Sequence, residues 1–67
     1  MSGDIHVVPH DGYWAIAVEG TGKRTPYQSL EAAIDDAIAL ATMARAEVLI
    51  YGRDGQIRER NTYGYAR

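Results

Sequence analysis

With 67 residues the chain has room for one core, and at this length a domain buries a smaller share of its surface than a larger one does. It has no cysteine and only two histidines, which leaves little material for disulfide staples or a structural metal site, so stability rests on apolar packing or on oligomerisation. No stretch reaches the roughly 18 apolar residues of a membrane helix, Met1-Ser2-Gly3-Asp4 lacks the regions of a signal peptide, and a net charge of −2 argues weakly against non-specific nucleic-acid binding, so a cytoplasmic protein is expected.

Ile5, Val7 and Val8 run into Pro9-His10-Asp11-Gly12, which predicts a strand over about 5–9 and a turn at Asp11-Gly12. Pro9 cannot donate to a ladder and is expected at the strand's end or on a sheet edge. The next strand covers about 13–19, sending Trp14, Ile16 and Val18 to one face and Tyr13, Ala15 and Ala17 to the other. Gly20 to Gln28 holds two glycines, Lys23-Arg24 and Pro26, and reads as a loop.

Ser29 supplies a hydroxyl for a helix N-cap, and Leu30 to Arg45 contains six alanines with no glycine or proline, which predicts a helix over about 30–45. At about 100° per residue, Leu30, Ile34, Ala37, Ile38, Ala41 and Ala44 fall on one stripe. Ala32, Asp35, Asp36 and Ala39 fall on the other side. Small alanines in the stripe let the helix lie close to a sheet. A strand over about 47–51 follows, then Gly52-Arg53-Asp54-Gly55 as a turn, then a strand over about 56–60 and a polar, aromatic tail. The expected fold is α+β, a single domain over 1–67 with ββαββ order, in which a four-stranded antiparallel sheet carries one helix on one face.

Ile5-His6-Val7-Val8-Pro9-His10 with Gly12 and Trp14, Glu31-Ala32-Ala33, and Tyr51-Gly52-Arg53-Asp54-Gly55-Gln56-Ile57-Arg58-Glu59-Arg60-Asn61-Thr62-Tyr63-Gly64 together span nearly the whole chain. In these residues, above all the two end motifs, the chain resembles a family of short bacterial proteins known as domain of unknown function number 2188. It implies a compact bacterial domain found alone and brings no activity, cofactor or catalytic residue. Family members often place glycine at the helix end, where this chain has Ala44-Arg45-Ala46.

Candidate chemistry is sparse. His6 and His10 on one straight strand stand roughly 13 Å apart, too far to share an ion. No nucleophile motif surrounds Ser2 or Ser29, Asp35 and Asp36 diverge on a helix, and Gly20, Gly22 and Lys23 match no phosphate-loop spacing. No catalytic residue, cofactor, metal or small-molecule substrate is assigned.

The sheet face turned away from the helix is more informative. If Ile5, Val7, Trp14, Ile16, Val18, Val48, Ile50 and Ile57 face the helix, alternation sends His6, Val8, Tyr13, Ala15, Ala17, Leu49, Tyr51, Arg58 and Arg60 outward. That outer set is unusually apolar, as contact surfaces are. The expected function is a non-catalytic binding module using Tyr13, Leu49, Tyr51, Arg53, Arg58, Arg60 and Tyr63, with a second copy of itself or another protein as partner. The alternative is nucleic-acid binding, with the tyrosines stacking on bases and Arg58 and Arg60 on phosphates. A small phage or mobile-element inhibitor protein is compatible with the same traits.

Overall fold

A computed structural model of the chain describes residues 3–62. In chain order its elements are β1 (Ile5–His10), β2 (Tyr13–Val18), β3 (Arg24–Tyr27), α1 (Leu30–Ala44), β4 (Glu47–Tyr51) and β5 (Ile57–Thr62). The β1–β2 hairpin turns at Asp11 (φ 49°) and Gly12 (φ 81°). Positive φ at both central residues matches the right-handed twist of the flanking strands, which is why Asp-Gly is found there.

The sheet corrects the four-stranded antiparallel expectation. It has five strands in the order β3-β2-β1-β4-β5, and β1 and β4 are parallel while the other neighbours are antiparallel. Residues 24–27, expected within a loop, form the edge strand β3. Thr21 closes the turn that leads into it: its Oγ1 donates to the Val18 carbonyl (2.8 Å) and accepts from the Lys23 N–H (3.1 Å). With β3 in place, the chain enters α1 travelling in the direction of β1. The helix then carries it back, and β4 starts beside β1 pointing the same way, as a strand–helix–strand crossover dictates. Pro9 therefore lies in a central strand, just past the stretch Ile5–Val7 that pairs with β4.

Ser29 caps α1 by accepting from the Ala32 N–H at 3.1 Å. At the other end Arg45 takes a left-handed conformation (φ 55°, ψ 52°), one residue short of the expected boundary, and its N–H and that of Ala46 both donate to the Ala41 carbonyl. The buried ridge of the helix is Ala33, Ala37 and Ala41, with Leu30, Ile34 and Ala44 half-buried beside it. Ala33 replaces Ile38, which the expected stripe had put in the core. The ridge packs on Ile5, Val7, Trp14, Ile16, Val48 and Ile50 as parity requires. No helix among the described residues is long and apolar enough to cross a membrane.

Ile57 is the exception to parity. A register shift in the β4–β5 pair sets Ile50 against Glu59 but Tyr51 against Ile57, leaving Arg58 as the extra residue. Such a bulge moves the residues on one side of it to the opposite face. Ile57 consequently shares the outer face with Tyr51 and is 48% exposed, correcting its expected place under the helix.

Candidate interaction face

One row of the outer face crosses the whole sheet: Arg24, Ala17, His6, Leu49 and Arg60 stand in register from β3 to β5. Beside it lie Pro26, Ala15, Val8, Tyr51 and Ile57, and beyond them Tyr13 and His10. The outward positions of β1, β2 and β4 are His6, Val8 and His10, Tyr13, Ala15 and Ala17, and Glu47, Leu49 and Tyr51, so Val8, Ala15, Ala17 and Leu49 surround His6 in the middle. Charge sits towards the flanks, on Arg24, Glu47 and Arg60.

Leu49 is only 3% exposed and Ala15 on the same face 1%, although no helix among the described residues lies over them. Leu49 stands between His6 and Arg60, with Glu47 and Tyr51 two residues to either side. These neighbours are tied to one another. His6 Nδ1 lies 3.0 Å from the Tyr51 hydroxyl, the two rings are 5.7 Å apart, and Arg60 Nε reaches Glu47 Oε1 at 3.2 Å. The face is thus an ordered layer of side chains.

The expected site residues divide between two places. Tyr13, Leu49, Tyr51 and Arg60 share the outer face, whereas Arg53 lies on the helix side, its guanidinium 5.6 Å from the centroid of the Trp14 ring. Arg58 folds back over Gly52, where a side chain on that residue would collide with it, and pairs with Asp54 Oδ2 at 3.2 Å. Tyr63 lies outside the described residues. With Arg58 and Arg60 both held by carboxylates, part of the charge that a phosphate-binding face would use is already offset.

Sequence reasoning passed over three residues of this face. Pro26 and Gln28 join Tyr13 and Tyr27 around an open hollow of about 360 Å³ at the β2–β3 corner. Ile57 stands on the opposite flank. Pro26 and Gln28 carried no local strand signal, because Arg24-Thr25-Pro26-Tyr27 lacks apolar alternation. Nothing in a period-2 pattern announces the bulge that turns Ile57 outward. Behind the hollow, Tyr27 donates its hydroxyl to Asp36 Oδ2 at 2.8 Å. Desolvation, followed by the hydrogen bond to Asp36 and the charge of that carboxylate, holds the Tyr27 hydroxyl above the ordinary tyrosine pKa.

Among the described residues, a mixed five-stranded sheet with one helix packed on one side defines a two-layer α+β domain. The chain belongs to a family of uncharacterized proteins conserved in bacteria, DUF2188, whose model matches residues 5–63 and so takes in all five strands and the helix. The resemblance read from its end segments holds. No curated protein and no solved structure matches it.

Proposed function

We propose that this protein is a non-catalytic binding module that acts through the open face of its sheet, and that the partner it meets there is a second copy of itself. The observation that carries the reading is the patch of Val8, Ala17 and Tyr51 around His6, laid over the buried Ala15 and Leu49 and flanked by Arg24 and Arg60, on a side of the sheet that no helix among the described residues covers. Five strands about 4.8 Å apart, with four to six residues each at about 3.3 Å, give a face of at most about 24 × 20 Å. Two such faces bury on the order of 1,000 Å², the lower bound for a specific interface.

The sheet edges are poorer candidates. The β3 edge has four residues and includes Pro26. Antiparallel pairing of β5 with itself about Glu59 sets Glu59 against Glu59 and Arg58 against Arg60, and pairing about Arg60 sets Arg60 against itself. Like charges directly opposite are destabilising. Self-association through the face avoids both obstacles and shields Tyr13 and Ile57, the exposed large apolar side chains at its margins.

Sedimentation equilibrium from micromolar to millimolar protein tests the reading. The expected result is a mass that rises to twice that of the monomer, and a return to monomer for Val8→Glu, which puts a charge at the centre of the face without touching the helix-side core. A wild type that stays monomeric throughout, or a Val8→Glu variant that associates unchanged, overturns it.

A further inference from the structure

We infer that the two copies meet through a reciprocal contact in which Ile57 of each chain enters the hollow bounded by Tyr13, Pro26, Tyr27 and Gln28 of the other; this rests on the self-association proposed above and specifies its geometry. The two features stand at the same end of the sheet. Tyr13 is in register with His10 at the end of β1, Ile57 is in register with Tyr51 at the end of β4, and β1 and β4 run parallel. They stand on opposite flanks, the hollow at the β2–β3 corner and Ile57 on the far edge strand. Three to four strand spacings separate them, about 14–19 Å.

A two-fold axis parallel to the strands and close to β1 exchanges the flanks and keeps the ends. One such rotation brings each Ile57 over the other chain's hollow, so both contacts form together, as an isologous interface requires. It also aligns the strands of the two sheets, the arrangement that twisted sheets favour when they pack face to face about 10 Å apart. Between the two contacts, Val8, Ala17 and Tyr51 of the two copies face each other over the already buried Ala15 and Leu49. The same rotation carries the Glu47–Arg60 pair of one copy towards Arg24 of the other, so that one carboxylate lies near two guanidinium groups.

This reading accounts for two features that the helix-side core does not need. The bulge turns an isoleucine out of the core onto an edge strand, where it is half exposed. Tyr13 is 52% exposed beside a hollow of about 360 Å³, ample for an isoleucine side chain. A knob and a hollow on opposite flanks and at one end are what a single two-fold operation can match.

Site-directed crosslinking separates this geometry from self-association in general. The natural chain has no cysteine, so a variant carrying Ile57→Cys and Gln28→Cys holds only the introduced thiols. Within one chain these positions lie far beyond the roughly 7 Å between Cα atoms that a disulfide can span, so any bond between them joins two chains. Mild oxidation is expected to convert the double variant into a covalent dimer and an equimolar mixture of the two single variants into a mixed dimer, while each single variant alone stays uncrosslinked. Ile57→Asp, at an exposed position, is expected to weaken association of the otherwise native chain about 100-fold, because each substitution removes two contacts. Failure of the double variant to crosslink, rapid crosslinking of Ile57→Cys alone, or a ladder beyond dimer removes the proposed contact while a sedimenting wild-type dimer retains the parent reading. A wild type that is monomeric at every concentration removes both.

Discussion

Arg45 holds a backbone conformation that costs an L side chain roughly 1–2 kcal/mol, because its Cβ crowds the following carbonyl, and it holds it in order to end a helix. The left-handed turn lets the N–H groups of Arg45 and Ala46 close on the Ala41 carbonyl and places Ala46 in the core. Glycine makes the same turn without the Cβ penalty but gives up more entropy on folding. The first effect is the larger, so Arg45→Gly is expected to stabilise the fold by about 0.5–1 kcal/mol, seen as a higher urea midpoint at unchanged slope. That the helix ends here was legible in the sequence to within one residue; that an arginine would make the left-handed turn was not, since its penalty is met by packing elsewhere.

Tyr27 provides a second prediction at this scale. Its hydroxyl is protonated when it donates to Asp36, and its pKa is raised in the fold. The folded state therefore holds its proton more tightly than the unfolded state. The resulting stability is fully present below the ordinary tyrosine pKa of about 10 and is lost as pH rises through the folded value. Denaturant unfolding of the wild type should weaken over this alkaline window, and Tyr27→Phe should unfold with a flatter profile there. At neutral pH the same substitution is expected to cost about 1 kcal/mol or less, because Asp36 is exposed and water replaces the lost donor.

At the scale of elements, the helix is the best case for reading structure from sequence. Its N-cap, its span to within one residue, and its alanine-rich buried stripe follow from local chemistry alone. What the periodicity misjudged was which residue mattered. Ile38 is larger and more apolar than Ala33, yet Ala33 lies on the ridge with Ala37 and Ala41, and all three are fully buried. That ridge brings the helix close enough to touch Val7, Ile16 and Val48. Ala37→Leu inserts three carbons into a packed seam and is expected to destabilise by about 1–3 kcal/mol in chemical denaturation.

The errors in the sheet share a single cause. Arg24-Thr25-Pro26-Tyr27 has no apolar alternation and contains a proline, so nothing local marks it as a strand; it becomes one because the turn at Gly20–Lys23 returns the chain beside β2, where backbone groups need partners. Once β3 was missed, the helix could not be recognised as a crossover, and the parallel β1–β4 pair was missed with it. The outer face was nonetheless legible, because β1, β2 and β4 keep strict parity. Only past the bulge, at Ile57, does the period-2 argument fail.

At the scale of the whole molecule, self-association has a consequence for stability as well as for binding. The helix-side core is small, and its largest fully buried side chains are Ile16, Val7 and Val48. If folding and association are coupled, dilution favours the unfolded monomer, and the melting temperature depends on concentration. A 100-fold rise in protein supplies about 2.7 kcal/mol per dimer. With an unfolding entropy of about 2.1 cal/mol/K per residue over two 67-residue chains, this raises the midpoint by about 10 °C. Thermal unfolding followed by circular dichroism across that range should show the shift for the wild type and none for Val8→Glu. Ile57→Asp should behave like the wild type at the highest concentrations and like Val8→Glu at the lowest, since weakening the interface by a fixed factor moves the transition along the concentration axis without changing the fold of the monomer. A wild-type midpoint that does not move with concentration would mean that the helix-side core alone sets the stability, leaving the outer face no energetic role in the folded state.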